Sequence, residues 1–137
     1  MTAIEITGPA DAPAVVVLGG ISSSRHVTAT ASNPTEGWWN GFVGAGKPID
    51  TLDFRVVSMD YLGGDGDEAL STHHQASALL DALDDAGIGQ LHAVVGASYG
   101  GMVALSLAEL HPSRVERLVV IGAAHQSTPS ATAHRSS

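Results

Sequence analysis

Short apolar runs divide this chain, and segments with helical periodicity lie between them. The first run, Ala14–Leu18, is continuous and rich in β-branched residues, so it predicts a strand that is buried on both faces. Similar runs at 54–59, 91–95 and 118–121 predict three more strands. The N-terminal segment 4–6 alternates apolar and polar positions, which favours an antiparallel strand at the edge of a sheet.

Two of the intervening segments predict helices. Residues 72–75 read Thr-His-His-Gln, the form of a capping box, and apolar residues follow at helical spacing until Gly87: Ala76, Leu79, Leu80 and Leu83. The second helix is predicted from about Tyr99 to Leu110 and ends at His111-Pro112. Because it is apolar nearly all round, we expect it in the core rather than on the surface.

This order of strands and helices predicts an α/β fold with a mostly parallel sheet flanked by helices. We expect residues 1–121 to form one core unit. Residues 22–50 are long for a connection, and we expect some helix among them. Residues 122–137 form a polar tail without an apolar run, so either this tail is disordered or the chain stops partway through a larger fold, and we favour the second.

Composition narrows the functional classes. The 137 residues are 44% apolar and 15% charged, as in a soluble globular protein, and the net charge of −8 gives no footprint for nucleic acid. No apolar run reaches the ~18 residues of a membrane span. The start is acidic, unlike a signal peptide, and the chain has no cysteine, so we expect a cytoplasmic protein without thiolate metal sites.

The most specific chemical signal is the sequence Gly-Ala-Ser-Tyr-Gly at 96–100. It matches the Gly-x-Ser-x-Gly pattern and lies between a predicted buried strand and a predicted helix, as a nucleophile elbow requires. We therefore predict that Ser98 is a nucleophile at the N-terminus of a helix, where dipole and free amides favour developing negative charge. The alternative is a glycine-rich turn with an incidental serine.

A second signal, Leu-Gly-Gly-Ile at 18–21, follows the first buried strand. Ligands gather beyond the carboxyl ends of parallel strands, so this segment and Ser98 are expected at the same edge. An acyl-transfer enzyme needs two amide donors for its oxyanion, and we assign these to Tyr99 and Ile21. A simple tight turn is the alternative.

Several blocks together carry a resemblance to a known family. They are 18–27 (Leu-Gly-Gly-Ile-Ser-Ser-Ser-Arg-His-Val), 37–39 (Gly-Trp-Trp), 46–51 (Gly-Lys-Pro-Ile-Asp-Thr), 60–64 (Asp-Tyr-Leu-Gly-Gly) and 96–102 (Gly-Ala-Ser-Tyr-Gly-Gly-Met). In this order they resemble the N-terminal part of the homoserine O-acyltransferases, α/β-hydrolase-fold enzymes of methionine biosynthesis, and most closely the branch that often uses succinyl-CoA.

The resemblance implies that Ser98 takes an acetyl or succinyl group from acyl-CoA and passes it to the hydroxyl of L-homoserine. Acyl-CoA is then a co-substrate, with no bound cofactor, no metal, no membrane partner and a homodimer as the assembly. Gly19, Gly20 and Arg25 are predicted to contact substrate. Arg25 and the adjacent His26 lie beside the oxyanion segment and could meet CoA phosphate or the acyl carboxylate, with structural hydrogen bonding as the alternative.

In that family a helical lid, an acid and a histidine follow the nucleophile. The resemblance therefore implies that residues 122–137 are the start of the lid, that the chain ends before the rest of the lid and the last strands, and that the family's acid and histidine match no position of this sequence. The chain could instead improvise a triad from Asp60, His125 and Ser98. Two alternatives to the acyltransferase function are a serine esterase of the same fold and an inactive fragment completed by a partner. The adjacent Trp38 and Trp39 could line an acyl channel or pack beneath the long loop. The pair at 73–74 and the acidic segment 63–68 are interpreted as solvated, since neither has the ligand spacing of a metal or phosphate site.

Overall fold

The computed structural model describes residues 2–62 and 71–122 of the chain. A five-stranded sheet has the order β1-β5-β2-β6-β7, and a separate two-stranded pair joins β3 to β4. The strands are β1 (Ile4–Thr7), β2 (Ala14–Leu18), β3 (Val43–Gly44), β4 (Ile49–Asp50), β5 (Arg55–Met59), β6 (Leu91–Ala97) and β7 (Leu118–Ile121). The helices are α1 (Thr72–Asp85) and α2 (Tyr99–Leu110), and a 3-10 turn covers Pro112–Arg114.

The sheet confirms the predicted mostly parallel architecture. β2 pairs in parallel with both β5 and β6, and β6 pairs in parallel with β7. All five residues of β2 are buried, as its continuous apolar run predicts. β1 pairs antiparallel with β5 at one end of the described sheet, which confirms the alternating N-terminal strand. β6 is two residues longer than predicted, because Gly96 and Ala97 continue its pairing with β7.

Two apolar clusters cover the two faces of the sheet. On one face Val16 and Leu18 of β2 pack with α1 and α2, through residues such as Leu79 and Leu107. On the other face the alternate residues of β2 pack against the long segment between β2 and β5, through Val15, Val17, Val27, Val43 and Ile49. The long segment therefore does the covering that a helix does on the first face.

The expected helix within residues 22–50 is absent from that segment, all of which the structure describes. Hydrogen bonds made by side chains, to the main chain and to one another, hold it instead. The Asn40 amide oxygen accepts from Thr28 Oγ1 (3.1 Å) and Ala29 N (3.0 Å), and Trp38 Nε1 donates to Ser24 O (2.7 Å). Such bonds offer the backbone an alternative to helical pairing, so the prediction was wrong for a physical reason.

The start of α1 also differs from the prediction. Ser71, one residue before the proposed cap, accepts a hydrogen bond from His74 N (3.2 Å), so the cap is Ser71 rather than Thr72. Gln75 is buried and pairs with the main chain of Leu62, through Leu62 N to Oε1 (2.8 Å) and Nε2 to Leu62 O (2.7 Å). Gln75 therefore ties α1 to the end of the β5 segment instead of capping its own helix.

The prediction that α2 lies in the core rather than on the surface is correct for one face of the helix and wrong for the other. Val103, Ala104 and Leu107 are fully buried, but Met102 is 51% exposed and Leu105 is 43% exposed among the described residues. Only one face of the helix packs on the sheet. An apolar pattern does not settle burial by itself, since burial also depends on what lies opposite the helix.

Several sequence predictions fall outside the described residues. These are the acidic segment 63–68, His125, and the polar tail apart from Gly122. No helix in the described part of the chain is both long and apolar enough to cross a membrane.

Candidate active site

The turn from β6 to α2 is centred on Ser98. Its backbone has φ of 57° and ψ of −124°, and no other described residue apart from glycines has a positive φ. This conformation is costly for any residue with a β-carbon, so the surrounding structure must hold it. Ser98 is exposed directly before the first turn of α2. The strand–turn–helix context that the motif requires is present.

Two glycines allow α2 to approach the sheet closely enough for this turn. A β-carbon on Gly96 would lie 2.3 Å from Gly100 O, and one on Gly100 would lie 2.3 Å from Leu18 O. Both contacts are with backbone, which cannot rotate away as a side chain can. The flanking glycines of the motif are therefore required by the packing of α2 on β6 and β2.

The segment after β2 is fixed from several sides. Ser23 N and Ser23 Oγ donate to Gly20 O at 2.9 and 2.7 Å, which closes a turn around Ile21. A β-carbon on Gly19 would lie 2.6 Å from the Trp38 ring, so the indole packs directly on this residue. Ile21 is 56% exposed, and its N–H donates to no other group in the described residues. The amide is thus available to a ligand.

Tyr61 connects this segment to the elbow, and sequence reasoning did not single it out. Its hydroxyl donates to Gly19 O (2.7 Å), and its ring makes an edge contact with Tyr99 at a centroid distance of 5.0 Å. Burial, and then the neighbouring Tyr99, raise the pKa of Tyr61 above its ordinary value, so the hydroxyl keeps its proton. Its place in the 60–64 block, at the carboxyl end of a predicted strand, was the signal that could have found it.

Arg25 and His26 both have structural partners. The Arg25 guanidinium pairs with the Asp60 carboxylate, which also accepts from Arg25 N (2.7 Å). His26 Nδ1 lies 2.9 Å from a Glu5 oxygen, and Nε2 lies 2.7 Å from Thr35 O. The carbonyl of Thr35, followed by Glu5, raises the pKa of His26. These contacts match the structural alternative for both residues and leave substrate binding by Arg25 as a prediction.

The described residues supply a serine and flanking amides but no base at Ser98. Within residues 2–62 and 71–122, no side chain hydrogen-bonds to Ser98 Oγ. Asp60 is paired with Arg25, and the other member of the improvised triad, His125, is outside the described residues. The tryptophan pair stacks on itself and on Phe42, with centroid distances of 5.5 and 4.7 Å, and packs against the second apolar cluster.

Comparison with known families agrees with this geometry. Residues 13–135 match the alpha/beta hydrolase fold family. The chain belongs to this family. An alpha/beta hydrolase carries its nucleophile on a strained strand-to-helix turn, which is where Ser98 lies.

Curated relatives of this alpha/beta hydrolase include two acyltransferases. The chain is 44% identical to a homoserine O-succinyltransferase of Xanthomonas campestris pv. campestris over 133 residues, which cover 96% of this chain and 36% of that protein. It is 36% identical to a serine O-succinyltransferase of the same species, over 98% of this chain and 41% of that protein. The chain therefore spans about two fifths of the length of these relatives.

Solved structures include an acyltransferase and an esterase. The homoserine O-acetyltransferase of Bacillus anthracis superimposes with a TM-score of 0.77 at 27% identity, covering 88% of this chain and 40% of that one. Esterase E22 superimposes with a TM-score of 0.76 at 25% identity, covering 88% and 41%. The shared fold therefore includes proteins named for acyl transfer and for ester hydrolysis.

Proposed function

We propose that this chain takes part in acyl transfer from acyl-CoA to the hydroxyl of L-homoserine, with Ser98 as the residue that carries the acyl group. The observation that carries the proposal is the strained turn at Ser98, together with 44% identity to a homoserine O-succinyltransferase. Succinyl is the first candidate for the acyl group because of that relative, and acetyl is the second. A cytoplasmic location and a homodimer remain predictions.

The chemistry proceeds in two balanced steps. Ser98 Oγ attacks the thioester carbonyl, an Oγ–C bond forms, the C–S bond breaks, and the serine proton leaves with CoA as its thiol. The homoserine hydroxyl then attacks the acyl-serine, and its proton returns to Ser98 as O-acylhomoserine departs. A serine hydroxyl needs a general base near neutral pH, and no described side chain at Ser98 supplies one, so the proposal requires a base from outside residues 2–62 and 71–122.

The negative charge that forms on the carbonyl oxygen in each step needs two donors. We assign these to two amides. The amide of Tyr99 lies in the first turn of α2, and the amide of Ile21 lies in the segment after β2. Each preorganised donor of this kind lowers the activation barrier by about 3 kcal/mol in serine enzymes. Gly19 and Gly20 are proposed to border the acyl group, because both lie in this segment.

Intact-mass spectrometry tests the proposal directly. The chain is incubated with succinyl-CoA or acetyl-CoA, with Ser98→Ala as the matched control. A mass increase equal to one acyl group, absent from the control, is the expected result, and the donor that gives it identifies the acyl group. A folded chain that gains no mass would contradict acylation and favour the inactive fragment completed by a partner.

The acceptor is tested on the acylated chain. L-Homoserine, L-serine or buffer alone is added, and loss of the acyl mass is followed with time. Faster loss with homoserine supports the proposal, and faster loss with serine favours the chemistry named for the second relative. Equal loss in buffer alone favours an esterase.

A further inference from the structure

We propose that Tyr61 is a positioning residue, which holds the segment carrying the Ile21 amide in register with the turn carrying Ser98. This proposal rests on the proposed function, because it concerns the two amides assigned to the oxyanion. Tyr61 lies just beyond the end of β5, the strand that neighbours β2 in the sheet.

One contact fixes the segment after β2. The Tyr61 hydroxyl donates to Gly19 O at 2.7 Å. The peptide that joins Gly19 to Gly20 is trans, so its N–H points opposite to its carbonyl. A hydroxyl that holds the carbonyl therefore fixes the plane of the peptide from which the chain continues to Ile21.

A second contact reaches the elbow. The rings of Tyr61 and Tyr99 meet nearly perpendicular, at 89° with centroids 5.0 Å apart. Tyr99 directly follows Ser98, so one side chain contacts both segments that supply the oxyanion amides. The preceding residue, Asp60, binds Arg25 at the far end of the same loop, and the two neighbours thus hold the loop at both ends.

The functional consequence follows from the distance dependence of oxyanion stabilisation. The two amides must lie about 2.7–3.1 Å from the developing oxyanion. A displacement of about 1 Å in such a site costs up to 100-fold in rate. Loss of the Tyr61 hydroxyl frees one peptide plane while the ring contact remains, so we expect a smaller effect, about tenfold.

The test compares Tyr61→Phe with Ser58→Ala. Ser58 Oγ, like the Tyr61 hydroxyl, donates to a main-chain carbonyl of the β2 region, Val17 O, at 2.7 Å, and it is buried. Ser58→Ala therefore removes the same kind of bond without touching the loop. Two quantities are measured: amide hydrogen exchange of residues 19–25, and the rate constant of Ser98 acylation at saturating acyl-CoA, with the half-saturating concentration.

The expected result for Tyr61→Phe is faster exchange of residues 19–25, by about fivefold, the factor that a typical net hydrogen bond contributes. Acylation at saturating acyl-CoA slows about tenfold while the half-saturating concentration stays constant. Ser58→Ala changes neither quantity at the loop.

Three results would overturn the positioning role: unchanged exchange in Tyr61→Phe, unchanged acylation despite faster exchange, or equal effects in Ser58→Ala. These results are distinct from failure of the proposed function. If the wild-type chain takes up no acyl group, the proposed function fails and the positioning role falls with it. If the wild-type chain is acylated and Tyr61→Phe matches its rate, only the positioning role is wrong.

Discussion

Replacing Ser98 with glycine is expected to stabilise the fold while it removes the proposed nucleophile. With φ of 57° and ψ of −124°, the residue occupies a region in which a β-carbon costs about 1–3 kcal/mol. Glycine relieves this strain but loses about 0.5–1 kcal/mol of additional backbone entropy on folding. The Ser98 hydroxyl has no hydrogen bond to lose within the described residues. The net expectation is a gain of about 1 kcal/mol for Ser98→Gly relative to Ser98→Ala.

Urea denaturation of the wild type, Ser98→Ala and Ser98→Gly measures this difference. The comparison of glycine with alanine isolates the backbone, because both variants lack the hydroxyl. Ser77, an exposed residue within α1, provides the matched control. There Ser77→Gly should be less stable than Ser77→Ala by about 1 kcal/mol, the ordinary difference inside a helix.

The sign at Ser98 decides the argument. If Ser98→Gly is less stable than Ser98→Ala, as at Ser77, the turn is not strained and the elbow geometry is wrong. An unchanged dependence of unfolding on urea is needed for the comparison, because a change in that slope would mean that one of the end states has changed. Both Ser98 variants should also remain free of acyl mass, whereas Ser77→Gly should not affect acylation.

Three further outcomes follow from the packing. Gly96→Ala should lower the free energy of unfolding by about 3 kcal/mol, because its β-carbon would lie 2.3 Å from a carbonyl oxygen, whereas Gly89→Ala, which meets open space, should be neutral or slightly stabilising in the same urea titration. Gln75→Leu should cost about 2 kcal/mol, since it leaves two backbone groups of Leu62 without partners, and an unchanged urea midpoint would contradict this. The folded-state pKa of His26 is raised, so its stabilising effect is full below the ordinary histidine pKa of 6.5 and is lost as pH rises through the higher folded value. His26→Gln should therefore flatten the pH dependence of thermal unfolding in that window, and an unaltered profile would contradict the assignment.

The centre of the sheet was predictable because its signal is local. A continuous run such as Ala14–Leu18 satisfies both faces of a central parallel strand, and the structure places β2 between β5 and β6. The turn at Ser98 was predictable for a similar reason, since its glycines and its strand–helix context are adjacent in sequence.

The remaining features depend on pairs that are distant in sequence. Gln75 pairs with Leu62, and Tyr61 reaches Gly19 from 42 residues away, so neither role follows from the residue's own neighbours. The cover over the second face of the sheet is similar. It depends on Asn40, which accepts a hydrogen bond from Ala29 N, and on His26, which contacts Glu5. Such contacts leave no periodic pattern for sequence analysis to detect.

The strain at Ser98 and the close packing around it are parts of one arrangement. Ser98 N donates to Ile121 O of β7 at 3.3 Å, and Gly100 packs on the end of β2, so the turn is held from the strands on both sides of β6. A strained residue persists only where its surroundings over-determine it. The same contacts bring the Tyr99 amide and the loop after β2 to one edge of the sheet. Sheet packing and the Tyr61 contact with Gly19 therefore bring the proposed nucleophile and the proposed oxyanion amides to one edge, which is why we expect Ser98→Ala to leave the geometry of that edge intact.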